Sequence, residues 1–217
     1  RFDGAGSFLT STGFLYAREH SGIEDVGQFD EVVPVLAGKS ASCMIRKEAF
    51  SKAGFFDESY EILGEETDLA WRVWLRGYKV LFVPRSVAYH AFNTRFKPLD
   101  FYSHQRVYFN GCRNYLAMLT TNLEAFNLIK VIPYQIMAWL ASALGFFLTG
   151  KFKAGYYILK GLQYWFSHLA SHLEKRKKVQ STRVINDREL FKVIKKEPPR
   201  GYYLQRLLRY VKIGLHG

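Results

Sequence analysis

The sequence predicts an α/β domain over residues 1–125 followed by a helical, apolar and basic region over residues 126–217. Three observations carry this division. A run with helical spacing at 65–76 is followed at once by two β-branched and aromatic runs, at 78–83 and 86–90. The twenty residues 131–150 hold no charge. Finally, residues 174–217 hold 13 Lys and Arg against 4 Asp and Glu, which is +9 of a formal net charge of +12.

The elements follow in chain order. Residues 1–40 are rich in Gly, Ser and acids, with the short apolar pairs Phe8-Leu9 and Val32-Val33, and read as loops joined to short strands. Residues 40–50 read as a strand entering a short helix, and Gly54 to Glu58 as a turn. In 65–76, Leu69, Val73 and Leu75 recur at helical spacing beside Trp71 and Trp74, and Gly77 supplies the stop. The strand run 78–83 is closed by Pro84. From 100 to 122 the pattern is helical again, with Tyr108, Tyr115 and Leu119 available to one face.

A helix over 131–150 would be about 30 Å long, enough for a hydrocarbon core. Pro133, Gln135, Ser142 and Gly145 weaken that span, because a helix lying in the membrane interface explains the same residues. Residues 154–173 are apolar and aromatic, interrupted by Lys160, Gln163, His168 and His172, which again fits an interfacial helix. The block Lys175-Arg176-Lys177-Lys178 is expected at anionic lipids of the cytoplasmic leaflet. Attachment is therefore expected on the cytoplasmic face of the cell (inner) membrane, peripheral or with one inserted helix. A composition of 48% hydrophobic and 17% aromatic residues excludes intrinsic disorder. Cys43 and Cys112, the only cysteines, lack CxxC spacing and exclude a disulfide scaffold or a zinc centre.

The densest chemical signal is Gly64-Glu65-Glu66-Thr67-Asp68, three carboxylates in the first turn of the 65–76 helix. The helix dipole favours the ionised form of a carboxylate placed there, which suits a general base. Glu66 is the candidate, with Glu65 as the fallback. Asp68 and Arg72 stand at i and i+4, where an ion pair would hold the helix start. Trp71 is a candidate for stacking on a sugar face, although at least one of Trp71 and Trp74 belongs to a core at this spacing. Taken alone, acids at a helix start are more often caps, and His90 at the end of an apolar strand is more often structural. Arg46 and Lys47 read as a solvated pair, and Asp57 and Glu58 as turn formers.

The company of these residues changes their reading. Arg46-Lys47-Glu48-Ala49-Phe50, Gly54-Phe55-Phe56-Asp57-Glu58, the acidic helix, Arg76-Gly77-Tyr78-Lys79, Val83-Pro84 and Tyr89-His90 follow one another in a fixed order. That series resembles the second half of bacterial family 2 glycosyltransferases, notably the rhamnosyltransferase-like members. The resemblance covers 36–120 well. It extends more loosely to Arg113-Asn114 and to Lys175-Arg176, Gln180 and Arg183, and is weak over the first 35 residues.

The resemblance implies a GT-A (Rossmann-like) glycosyltransferase domain of which this chain supplies the C-terminal, acceptor-side half. It implies that the second acid of the pair, Glu66 where Asp is more usual, is the base. His90 matches the family's histidine that helps hold a divalent cation, magnesium or manganese, with the carboxylates of an Asp-x-Asp. No Asp-x-Asp follows an apolar strand here and the chain opens at Arg1 without Met, so the nucleotide-binding half is expected upstream, and these residues alone are expected to be inactive.

The implied function is an inverting transfer of a sugar from a nucleotide-sugar donor to a saccharide or lipid-linked acceptor in cell-surface polysaccharide synthesis. The expected partners are those substrates and an anionic membrane surface, with no nucleic acid. The alternative is a non-catalytic, basic membrane- or nucleic-acid-binding module, which leaves the 46–90 series unexplained.

Overall fold

A computed structural model of the chain describes residues 3–18, 23–90, 105–199, 201–204 and 208. Its β structure is small because few residues find ladder partners. β1 (Ser7–Leu9) and β2 (Leu15–Ala17) form an antiparallel hairpin with Phe8 opposite Tyr16. β3 (Val33–Pro34) pairs antiparallel with β4 (Leu81–Phe82), Val33 opposite Phe82. Backbone bonds join the two pairs: Leu36 N donates to Ser7 O at 2.8 Å, and Val35 N to Val80 O at 3.0 Å.

The strand expected over 78–83 is thus only its middle. Ser86 N turns back to Val83 O at 3.0 Å, so the turn at Pro84-Arg85 ends the run. Residues 86–90 are not a strand, because they have no ladder partner among the described residues. Residues 40–46 are likewise a 3₁₀ turn and irregular chain rather than a strand.

Seven helices are described. α1 (Lys47–Ala53) ends at Gly54, whose φ of 85° is a left-handed C-terminal cap. α2 (Glu65–Leu75) is buried on two sides. Leu69 and Val73 pack with Ala53 of α1, while Trp71, Trp74 and Leu75 enter the main core. After a π-helical turn at Gln105–Phe109 come α3 (Asn110–Asn122), α4 (Ala125–Leu148), α5 (Phe152–Ser167), α6 (Leu169–Ser181) and α7 (Asp187–Ile194). Of the helix expected from residue 100, positions 100–104 lie outside the described residues. The apolar stretch 154–173 is two helices, broken at His168.

α3 is the central helix, touching α2, α4, α5 and α6. Its Cys112, Leu116, Met118 and Leu119 are fully buried. One buried cluster takes in Leu9 and Leu36, Trp71 and Trp74, Leu116, Phe146 of α4, Ile158 and Trp165 of α5, and Leu190 of α7. Residues on both sides of position 125 therefore share a core.

The basic segment is partly consumed by the fold. The last carbonyls of a helix lack intrahelical partners, and side chains from the following helices cover those of α3. Arg176 donates to Thr120 O at 2.7 Å and to Leu123 O. Gln180 donates to Thr121 O and Asn122 O at 2.9 and 3.1 Å. Lys175 pairs with Asp57 at 2.8 Å. Of the block expected to face lipid, Lys175 and Arg176 instead turn inward, and Lys177 and Lys178 remain exposed.

α4 runs unbroken through Pro133, which lies on its exposed side. It is long and apolar enough to cross a membrane, with a mean hydropathy of 1.6. Its buried face carries Val131, Gln135, Ala143 and Phe146. The opposite face exposes Phe126, Ile129, Tyr134, Met137, Leu140, Leu144 and Leu148, and α5 continues it with Phe152, Tyr156, Leu159 and Phe166.

Candidate active site

The acidic end of α2 is set by an unusual turn. Leu63 has φ 69° and Gly64 φ 92°, two successive left-handed residues of which only the second is glycine. A left-handed leucine costs on the order of 1 kcal/mol and persists where its surroundings hold it. Here Asn114 of α3 holds it, its Nδ2 donating to Ile62 O at 2.8 Å and to Leu63 O at 2.9 Å. Asn110, one turn earlier and also buried, donates to Glu61 Oε2 at 3.3 Å. Gly64 has no side chain to cap the helix, so no side-chain cap competes for the first-turn amides.

Glu66 is half-buried, and Thr67 Oγ1 lies 3.5 Å from its Oε1. Burial, and then the charge of the adjacent Glu65, hold its carboxyl above the ordinary glutamate range. The dipole argument by itself predicts a readily ionised acid. Desolvation and the like charge outweigh it, which gives the carboxylate a stronger pull on a proton. Glu65 Oε2 is buried without a hydrogen-bond partner.

Asp68 and Arg72 form the i,i+4 pair, Nε to Oδ2 at 2.8 Å, with side chains 3% and 7% exposed. Asn122 Nδ2 donates to Asp68 Oδ1 at 2.7 Å, and Arg72 also donates to Ala53 O. With both Asp68 oxygens occupied, this pair ties α2 to α1 and α3. Trp71 is a correction to the expected site: it is 0% exposed, and its ring fills the core instead of offering a face to a sugar. Trp74 is core as well, with Nε1 donating to Val35 O at 2.9 Å.

His90 is exposed and belongs to a different set of contacts. Its Nδ1 lies 2.9 Å from Asp3 Oδ2, and Asp3 Oδ1 meets Lys39 Nζ at 2.7 Å. Among the described residues no group of three His, Cys, Asp or Glu side chains is gathered to hold a metal ion.

Sequence reading passed over Asn110 and Asn122, and named Asn114 only within the resemblance; all three are polar and buried. Asn110, Asn114 and Asn122 recur at multiples of four along α3 in an otherwise apolar face. Buried amides in such a stripe signal carbonyls or carboxylates to be met on a neighbouring segment.

The family model described as Glycosyl transferase family group 2 matches residues 4–172, more than three quarters of the chain. The chain belongs to that family. Sugar transfer is therefore its activity class, and the match runs past residue 125 through α4 and α5 of this glycosyltransferase. No curated protein and no solved structure matches it. The family's mixed α/β character agrees with the helices and small antiparallel pairs described above.

Proposed function

We propose that this glycosyltransferase is inverting, with Glu66 as general base, and moves a sugar from a nucleotide-sugar to a saccharide or lipid-linked acceptor of a bacterial cell-surface polymer. The observation that carries the reading is the acidic end of α2: a half-buried carboxyl of raised proton affinity, on a helix start braced by Asn114, within a chain of this family. In the reaction the acceptor hydroxyl gives its proton to the Glu66 carboxylate. The freed oxygen attacks the anomeric carbon as the bond from that carbon to the diphosphate oxygen breaks, and the electron pair leaves with the nucleoside diphosphate. A single displacement inverts the anomeric centre. Glu65 raises the proton affinity of Glu66 by its charge, and Asp68 with Arg72 fixes the helix that carries both.

The rhamnosyl-type donor, the GT-A architecture and the place of His90 beside the diphosphate rest on the resemblance of the 46–90 series. The magnesium or manganese expected from that resemblance has no ligand set among the described residues, and no step above passes through it. Attachment to the cytoplasmic face of the membrane is supported by the apolar stripe on α4 and α5, with Lys130, Lys153 and Lys160 exposed alongside it. The non-catalytic basic module loses ground because Lys175, Arg176 and Arg183 are engaged in the fold.

The test is a Glu66→Gln change in the complete protein. Removing a general base lowers turnover by about two orders of magnitude or more. Unchanged turnover with Glu66→Gln and a comparable loss with Glu65→Gln would transfer the role to the neighbour.

A further inference from the structure

A second polar site lies behind the acidic end of α2, where the loop at Ser59 meets α3, α5 and α6. It is a cavity of about 50 Å³ whose walls include Ser59, Arg113, His168, Ser171, His172 and Lys175. Its donors outnumber its acceptors. Arg113 donates through Nη2 to Ser59 O at 3.1 Å, while its Nε is buried without a partner, and no carboxylate pairs with it among the described residues. His172 is only 8% exposed and its Nε2 has no hydrogen-bond partner. Lys175 is shared between Asp57, at 2.8 and 2.9 Å, and Ser59 Oγ at 2.9 Å. Burial first, and then the charge of Lys175, push His172 down to about 4. A buried guanidinium edge and imidazole nitrogen left unmet are costly unless an acceptor arrives.

The surroundings indicate what carries that acceptor. The guanidinium of Arg113 lies over both the Phe109 ring, at 5.0 Å, and the Tyr164 ring, at 4.9 Å, and these two rings meet edge to face. Phe109 is also a wall of a second, larger cleft of about 230 Å³ that it forms with Tyr156, Tyr157 and Lys160. That cleft opens beside Tyr156 on the exposed apolar stripe. Tyr164 and Arg113 of the small notch thus pack against Phe109 of the apolar, aromatic cleft, an arrangement that matches an amphiphile with an anionic head.

We propose that the notch formed by Arg113, His172, Ser171 and Lys175 binds the phosphoryl group of a lipid, and that the Phe109, Tyr156 and Tyr157 cleft takes the first part of its chain. The notch abuts Tyr60 and Asn114, the residues that flank the turn leading to Glu66. On the glycosyltransferase reading, on which this last step rests, the lipid phosphate is that of the acceptor, held beside the turn that leads to the base.

The experiment titrates the full chain with inorganic phosphate, with decyl phosphate and with decanol, following the ring Cε1 proton of His172 by NMR. Decyl phosphate is expected to shift that resonance saturably and to raise the imidazole titration from about 4. It is expected to bind at least about ten-fold more tightly than inorganic phosphate, since each buried methylene of the chain adds to affinity. Decanol is expected to leave His172 unmoved. Arg113→Gln should weaken decyl phosphate by about ten-fold or more. Because Arg113 also braces Ser59, Ser171→Asp serves as a second variant: it places a negative charge at an exposed rim position and should abolish binding at unchanged thermal stability. Absence of a saturable His172 shift, equal affinity for the two phosphates, or full binding by Ser171→Asp overturns the proposal. None of these readouts involves turnover, so failure here is separate from failure of Glu66 as the base.

Discussion

Asn114 Nδ2 donates to the carbonyl of Leu63 at 2.9 Å, and so a side chain of the central helix fixes a left-handed leucine two residues before the acidic pair of α2. The same amide takes the Ile62 carbonyl at 2.8 Å, which leaves the 62–64 turn one geometry. The position of Glu66 is in this way decided by a residue about fifty positions later in the chain.

Asn114→Ala removes both bonds and leaves two carbonyls in a part-buried turn. A loss of about 1–3 kcal/mol of stability is expected from unmet buried groups, measured by chemical denaturation. Turnover should fall further than stability accounts for, because the base loses its placement. Full turnover by a folded Asn114→Ala protein would separate the turn from the chemistry.

The raised carboxyl of Glu66 has a definite sign in stability. Its folded-state proton affinity exceeds the unfolded one, so its contribution is fully favourable below the unfolded value and is lost as pH rises through the folded value. Glu66→Gln, which stays neutral, is therefore expected to be more stable than the parent at neutral pH and no more stable in acid. Thermal melts across that range would read this difference. The acid limb of the parent's pH–rate profile should correspondingly lie above the ordinary glutamate range.

At Gly161 α5 passes close against Cys112 of α3 and the Phe109 carbonyl just before it. A Cβ built there would lie 2.8 Å from Cys112 Cβ and 2.9 Å from Phe109 O. Backbone cannot yield as a flexible side chain can, so Gly161→Ala is expected to cost about 1–3 kcal/mol and to lower the melting temperature. An unchanged melt would show that the two helices separate at little cost.

The apolar stripe of α4 predicts a membrane readout distinct from folding. Ile129, Met137 and Leu144 are 73%, 67% and 57% exposed, so changing all three to Ser removes little from the core. The variant should retain its fold by circular dichroism and lose flotation with liposomes. Parent binding that survives high salt would mark apolar insertion, whereas binding lost with salt would mark charge alone.

The sequence by itself determined the helices with strong periodicity, the stop at Gly77, the clustering of Glu65, Glu66 and Asp68 on one helix start, and an apolar α4. Each of these rests on residues within one or two turns of each other, where spacing is sufficient information. Only the tertiary structure decided the rest. Trp71 became part of the main core, Arg176 turned inward to the open carbonyls at the end of α3, and Lys175 turned inward to Asp57. The 86–90 run is irregular and has no partner strand among the described residues, and the proton affinity of Glu66 was raised first by burial, which no local pattern reports. These outcomes depend on contacts between residues tens of positions apart, and a pattern read along the chain carries no distance across it.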